Sequence, residues 1–467
     1  MTRVAVVGGG IAGLATALRL RERLPRATIT VYEGSGALGG KLRTGELAGS
    51  PVERGAENFL VRDPDGGESA AVALARRVGL AGELVHPAPR PAALAVGGRL
   101  RPVPGGTLVG VPGDLEKVAA VARPAAELDR DAGRPLLEPG RDVAVGALVR
   151  RRLGDEVVDR LVDPMLGGVY AGRADGLSLA ATMPGLAAAA RVRHTLTGAV
   201  RAAMAAAPRP PGTPVFATVA GGVSRLVEAV AAASGADLRL GLPVRELSPA
   251  PPEAGPGPRW RLVLGATRAP EVVTADAVVL AVPATPAARL LAGVPGDAAA
   301  PVGALEYASV ALVALALPAA ELPDLSGLLV PAAEGMLIKA ATFFTTKWPH
   351  TRRPDGVALV RASVGRYGEE QALQRPDEDL VDQALKELSG LVGPLPAPVE
   401  SFVQRWGGAL PQYAPGHLER VAAARAALPG TIALAGAAYD GVGIPACVRS
   451  GETAADVIAA TLEQWAA

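Results

Sequence analysis

The apolar positions divide the chain into stretches of different period. Residues 3–7 form a short apolar, β-branched run, the signature of a strand buried on both faces. Residues 14–24 repeat at helical spacing, and residues 28–32 return to a β-branched run. This strand–helix–strand order predicts a parallel α/β unit at the start of the chain. The order recurs at the far end, where 431–435 reads as a strand, 436–443 as a glycine-rich loop and 449–462 as a helix. Residues 276–282 (DAVVLAV) read as another buried parallel strand, so the first unit is expected to resume there.

The intervening pattern is mixed. Residues 47–60 predict a strand, a turn and an extended segment, and 69–80 an amphipathic helix. Residues 92–96 and 100–103 flank Gly97 and Gly98 as a hairpin. From 112 to 208 the period is helical, with helices expected at 114–123, 143–153 and 155–166. A long Ala/Arg helix is expected over 187–207, ended by Pro208, Pro210 and Pro211. A new unit starts at Gly221 and Gly222, with a helix at 224–234 and strands at 237–240 and 244–247. A Pro/Gly-rich surface turn at 250–258 precedes a hairpin at 259–264 and 271–274. Strands at 309–317, 327–330 and 357–364 and a helix at 377–392 follow. The segment 402–413 (FVQRWGGALPQY) contains Trp406, which on local pattern reads as a core anchor.

Composition narrows the class. A chain of 467 residues has room for two or three domains. Its 47 basic and 46 acidic residues leave a net charge of +1, which gives no electrostatic case for nucleic acid. A single cysteine, Cys447, excludes an internal disulfide framework and a cysteine-cluster metal site, and fits a reducing compartment. The four histidines, His86, His194, His350 and His417, are scattered, and no metal-ligand spacing is present. The longest apolar run, 308–317, is too short to span a bilayer and ends at Pro318. No cleavage pattern follows the N-terminal apolar stretch. The expected location is the cytoplasm, with contact at a membrane surface left open.

The candidate chemistry starts with the glycines. Gly8, Gly10 and Gly13 form G-x-G-x-x-G directly after the first strand, and Glu33 closes the second strand. In this arrangement Gly8 permits the tight turn, Gly10 lets backbone approach a pyrophosphate, and Gly13 lets the helix pack close to the sheet. The anion then sits at a helix N-terminus, and Glu33 is placed to accept from a ribose hydroxyl. A second pair, Gly39 and Gly40, follows the acid and is followed by Lys41; it reads as a plain turn or as backbone lying against the ribose and pyrophosphate of a flavin dinucleotide. Arg90 reads as a solvated surface residue or as a fork for a carboxylate. The run Arg150-Arg151-Arg152 reads as a solvated helix face, with anionic lipid or substrate as the other reading.

Taken together, VVGGGIAGLA, GALGGK, VERGAENFL, RRRLGDEVVDRLVDPMLGGVYAG, TKWPH, RWGGALPQYAPGH and GVGIPACVRSG resemble the FAD-dependent protoporphyrinogen/coproporphyrinogen III oxidases. The similarity covers nearly the whole chain and is greatest to the soluble bacterial coproporphyrinogen type. It implies an α/β fold: a Rossmann-like FAD-binding domain of the amine oxidase/flavin monooxygenase superfamily type (1–46, 212–290, 406–467), a mixed-sheet substrate domain (47–84, 291–405) and a helical domain (85–211) as a membrane-facing candidate. By the same resemblance, Gly8, Gly9, Gly10, Ile11, Ala12 and Gly13, with Glu33, Gly34 and Lys41, would hold the ADP and pyrophosphate. Gly55, Ala56, Glu57 and Asn58 would line the flavin, Val244 would hold the adenine side through its backbone, and Trp406 with Gly441, Val442 and Gly443 would close on the isoalloxazine. Arg90 would face a substrate propionate, and Tyr170, Ala171 and Gly172 would form the substrate-cavity wall.

The implied activity is oxidation of coproporphyrinogen III to coproporphyrin III with dioxygen as acceptor, giving hydrogen peroxide, in heme b biosynthesis. Implied partners are the porphyrinogen, dioxygen and, transiently, a ferrochelatase. The resemblance supplies no catalytic base and no metal. Protoporphyrinogen IX oxidation is the near alternative. FAD amine oxidases and carotenoid desaturases share the glycine motifs but not TKWPH or ALPQY. A non-enzyme alternative is a partner protein that delivers porphyrin.

Overall fold

A computed structural model describes residues 2–63, 66–207, 212–251 and 259–466. Its organising layer is a five-stranded parallel sheet in the order Asp237–Arg239, Thr28–Tyr32, Arg3–Val7, Ala277–Leu280, Ile432–Leu434. Successive side chains of a strand face opposite sides. Accordingly Val4 and Val6 join the core under the helices Ile11–Arg23, Ser224–Ser234 and Ile444–Ala466. Ala5 and Val7 join a second core on the other face. That core is closed by the antiparallel strands Val244–Pro249, Trp260–Leu264 and Glu271–Ala275 and by the helix Ala284–Leu291. The first and last segments of the chain are therefore neighbours in one sheet, with 277–280 between them, as the three parallel-strand signals predict.

A seven-stranded mixed sheet forms the second layer. Its order is Glu400–Pro411, Tyr307–Leu317, Ala358–Val364, Ile338–Phe343, Gly327–Leu329, Ala92–Val96, Arg99–Pro102. The helix Asp377–Val392 buries Leu380, Ala384 and Leu388 against it, the spacing of one helical face. A separate helical core gathers Val145–Leu153, Asp163–Tyr170, Pro184–Ala190 and Leu196–Ala206.

Several expectations are corrected. The hairpin at 92–102, assigned by sequence to the helical region 85–211, extends the seven-stranded sheet instead, because Ala92–Leu94 pair in parallel with Gly327–Leu329. The expected helix at 114–123 is only a 3₁₀ turn, Glu116–Val118. The long helix at 187–207 is two helices, Pro184–Ala190 and Leu196–Ala206. Pro184 starts the first, and the Thr195 side chain caps the second by accepting the Gly198 N–H at 3.3 Å. Alanine-rich composition hid both signals. The stretch 155–166 runs through a π segment, Val158–Val162, just before Pro164, which has no N–H to donate to the preceding turn. The strand Ile338–Phe343 carries no clean alternation and was not predicted. The last helix begins at Ile444 rather than 449, with Pro445 in its first turn. The prolines at 208, 210 and 211 and most of the expected surface turn at 250–258 lie outside the described residues.

The two chain ends meet backbone to backbone. A Cβ on Gly451 would lie 2.2 Å from the Ala12 carbonyl oxygen. The Thr16 hydroxyl donates to the Ala12 carbonyl at 2.8 Å and lies 3.0 Å from that of Gly451. Only glycine allows this approach. Gly451→Leu is expected to cost about 3 kcal/mol by overpacking. Gly36→Ala, where nothing lies within 4 Å of the added carbon, is expected to stay within about 0.5 kcal/mol of the parent. Thermal unfolding of the two variants checks this; equal losses would refute the close-packing argument.

Candidate functional site

The turn after the first strand has the geometry that its glycines suggest. Gly8 has φ +110°, a left-handed conformation that side chains avoid. A Cβ on Gly13 would lie 2.0 Å from the Gly8 carbonyl oxygen, so the helix can sit on the turn only with glycine there. Gly10 differs, for nothing lies within 4 Å of an added Cβ. It is the N-cap of the helix Ile11–Arg23 and supplies no side-chain cap. The first-turn N–H groups that follow, at Ile11, Ala12 and Gly13, have no acceptor in the preceding turn of their own helix.

Glu33 stands beside this turn. Its carboxylate accepts the Gly9 N–H and the Ser35 N–H, each at 2.8 Å. Its carbonyl accepts the Leu242 N–H at 3.0 Å. Gly34 packs on Pro243, directly before Val244, so the predicted adenine-side residues are adjacent. The second glycine pair folds back on the first, with the Gly39 N–H donating to the Gly9 carbonyl at 2.8 Å.

Lys41 continues this path. Its carbonyl accepts the Ala56 N–H at 2.9 Å, and a Cβ on Gly55 would lie 1.9 Å from that oxygen. Its ammonium is largely buried, burial lowers its pKa, and no carboxylate among the described residues pairs with it. An open cradle at Gly10, an uncapped helix N-terminus and an unpaired cation together suit a pyrophosphate. On these observations the residues present fit a dinucleotide.

The segment 53–58 is fixed by donors from a distant part of the chain. Glu57 is buried, and its carboxylate accepts from Lys347 Nζ at 2.7 Å, Trp348 Nε1 at 2.8 Å and Arg361 Nη2 at 2.9 Å. Burial alone would push this carboxyl up, but Lys347 and Arg361 outweigh it and hold the group at about 2. The Thr218 hydroxyl takes the Glu57 carbonyl at 2.9 Å. Both polar ends of Glu57 are thus committed to the protein. Arg361 also donates to the carbonyls of Glu53 and Gly55 at 2.7 and 3.0 Å. Lys347 and Trp348 belong to TKWPH, a piece that the sequence reading quoted without assigning it a task. Asn58 and Ala56 are half-buried beside this cluster.

A further wall brings distant segments together. The helix Asp163–Tyr170 ends at Ala171, which is left-handed at φ +52° and whose carbonyl accepts the Tyr367 N–H at 2.7 Å. Gln412 Nε2 donates to the Tyr170 carbonyl at 2.8 Å, and the Gln412 side chain lies against Gly172. Ala171 shares a small apolar cluster with Trp406, whose indole N–H donates to the Arg54 carbonyl at 2.6 Å. Tyr170 meets Tyr413 edge-on at 5.5 Å, and the Tyr413 hydroxyl donates to the Ala437 carbonyl. Val442 packs on the same helical core, between Gly441 and Gly443, whose carbonyl accepts the Cys447 N–H at 3.0 Å. Most predicted residues therefore fall along one continuous path. Arg90 does not join it. It is exposed and paired with Asp324 at 2.5 Å.

Two buried acids in one segment titrate in opposite senses. Burial pushes Glu53 up to about 7, against the Val223 N–H and the Thr44 hydroxyl that it accepts. The stability tied to protonated Glu53 is therefore complete below its ordinary value of 4.5 and is lost as the pH rises through about 7. The stability from Glu57 is complete above 4.5 and is lost as the pH falls towards about 2. Glu53→Gln is expected to raise the melting temperature at pH 8, by removing a penalty of up to about 3 kcal/mol, and not at pH 5. Arg361→Met is expected to cost about 3–5 kcal/mol at pH 7, because a buried carboxylate loses a partner. Melting curves across pH check both; equal gains for Glu53→Gln at the two pH values would refute the assignment.

Comparison with known proteins agrees with this geometry. The sequence profile of the flavin containing amine oxidoreductase family matches residues 11–459. Curated relatives named coproporphyrinogen III oxidase include that of Mycobacterium tuberculosis, 40% identical over 97% of each chain. That of Bacillus subtilis is 30% identical over 97% of this chain and 96% of its own. A crystal structure from Exiguobacterium sp. 255-15 that carries a provisional protoporphyrinogen oxidase name is 29% identical, with a TM-score of 0.83 over 98% of this chain and 99% of that one. Cyclohexylamine oxidase from Brevibacterium oxydans IH-35A, 18% identical, shares the fold at a TM-score of 0.68 over 99% of each chain. Among the described residues no helix is long and apolar enough to cross a membrane. With its glycine turn, its joined chain ends and its near-full-length relatives, the chain belongs to the flavin containing amine oxidoreductase family, in its protoporphyrinogen/coproporphyrinogen III oxidase branch.

Proposed function

We propose that this chain binds FAD and oxidises coproporphyrinogen III to coproporphyrin III with dioxygen as acceptor, a step of heme b biosynthesis. The observation that carries the reading is the 40% identity, over 97% of the chain, to a relative named coproporphyrinogen III oxidase. When bound, FAD supplies the redox chemistry: hydride removal from the porphyrinogen bridges in successive rounds, with reoxidation by dioxygen to give hydrogen peroxide.

The protein's part is binding, orientation and exclusion of water. Residues 8–13 present the helix N-terminus to the pyrophosphate, with Lys41 as a further cation. Glu33 takes a ribose hydroxyl, and Gly34 and the Val244 backbone border the adenine. Residues 55–58, Trp406 and residues 441–443 would line the isoalloxazine. The Lys347, Trp348 and Arg361 contacts to Glu57 fix that segment. The helix that starts at Ile444, directly after this loop, aims its dipole at the same end. Residues 170–172 form the substrate wall. Arg90 would have to exchange Asp324 for a propionate. The substrate unit would be built on the seven-stranded sheet, which takes in the hairpin 92–102 and the strand Glu400–Pro411. A cytoplasmic location, peripheral membrane contact and transfer of product to a ferrochelatase belong to this reading through the chemistry of the product alone.

A 27% match to the rice enzyme named protoporphyrinogen oxidase, over 99% of this chain, favours the second reading, protoporphyrinogen IX. Purified protein is expected to absorb near roughly 450 nm. It should develop porphyrin fluorescence and hydrogen peroxide from coproporphyrinogen III faster than from protoporphyrinogen IX. Flavin absorbance with no fluorescence gain on either substrate would overturn the porphyrinogen assignment. Colourless protein that still binds porphyrin would favour a delivery protein.

A further inference from the structure

One buried cation near the substrate wall has no task in the account above. Lys339 lies in the strand Ile338–Phe343, where the register with Ala358–Val364 slips between Ile338 and Ala340. Such a bulge re-aims a side chain. Lys339 is only 6% exposed, and none of the hydrogen bonds or ion pairs among the described residues engages its ammonium. Burial, then Arg366 and Arg361, lower its pKa to about 7.

Its surroundings add positive charge. Arg366 is 7% exposed and donates to the carbonyls of Val330, Met336 and Ile338 at 3.1, 3.2 and 3.4 Å. The acid that pairs with Arg366, Glu369, stands 3.7 Å away. Lys339, Arg366 and Val330 form one side of a narrow cleft, and Asp163, Gly167 and Gly172 the other. Asp163 is already engaged, accepting the Ala174 N–H at 2.8 Å and pairing with Arg173 at 3.5 Å. Gly172 belongs to the proposed substrate wall, so the cleft borders that wall. The space open to a water-sized body is about 10 Å³, roughly one water. That admits a single carboxylate oxygen and not a ring.

A buried charge without a counter-ion is expensive, and an anion supplied from outside would complete the site. The porphyrinogen carries propionates, and Arg90 is exposed and paired with Asp324. We propose that Lys339, backed by Arg366, binds one propionate carboxylate of the substrate. This rests on the porphyrinogen reading above.

The test is equilibrium binding of coproporphyrin III and of its tetramethyl ester in detergent, followed by porphyrin fluorescence, on wild type and Lys339→Met carrying equal flavin absorbance. The Kd of the acid is expected to rise at least about tenfold and that of the ester to stay the same. The KM for coproporphyrinogen III should rise in parallel, with kcat within about twofold. An unchanged Kd for the acid, or an equal loss for acid and ester, would overturn the proposal. If Lys339→Met loses its flavin or its melting transition, Ala332→Glu offers the same ammonium an internal carboxylate from a half-buried position on the cleft. It is expected to weaken the acid alone, and an unaffected acid would again overturn the proposal. A wild type that holds flavin but neither binds nor oxidises the porphyrin defeats the functional reading itself.

Discussion

Glu57 holds a negative charge where water does not reach it, and three donors from a distant part of the chain keep it there. Lys347, Trp348 and Arg361 all belong to the second half of the sequence, in or beside the seven-stranded sheet. The carboxylate itself sits in the segment that leaves the glycine-bearing unit. A buried ion pair contributes little to net stability, since desolvation offsets most of the attraction, but losing one partner is costly. The arrangement therefore acts as a fastener between two layers rather than as a source of stability. Arg361 extends it by also holding the carbonyls of Glu53 and Gly55. The backbone of 53–55 can then neither slide along the sheet nor rotate away from it.

Small residues do the corresponding work between the chain ends. The first and last helices approach through Ala12 and Gly451, and the glycine turn sits against the helix through Gly13. Each approach brings backbone within a distance that any side chain would forbid. The segment around Gly436 is also placed beside Ala12, and Val442 packs on the helical core.

The charges that remain unpaired are informative because the chain is otherwise balanced at a net +1. Many surface arginines pair with an acid, and such pairs contribute little. Lys41 and Lys339 are both largely buried and lack a carboxylate partner among the described residues. One stands near the glycine turn, and the other shares a cleft with Gly172. Interior cations of this kind suit anionic ligands, and a dinucleotide and a polycarboxylate substrate would each supply one.

How much of this was legible depended on whether the deciding contacts were local. The parallel unit was readable because period, turn chemistry and the acid after the second strand lie within a few tens of residues. The same local signals recur at 276–282 and 431–435, so even the meeting of the chain ends could be inferred. The hairpin 92–102 was readable as a hairpin, but its sheet was not, since that depends on pairing with strand 327–329 more than two hundred residues away. The pairing of Glu57 with Lys347 and Arg361 was not readable, because those cations lie about three hundred residues further along the chain. Lys339 carried no signal at all, because an unpaired, buried lysine is defined by what surrounds it. Sequence alone thus determined the parallel unit and the dinucleotide chemistry, whose requirements are short-range. The tertiary structure decided which charges are neutralised and which stay free, because Coulomb partners are chosen by proximity in space and burial sets how strongly each is felt.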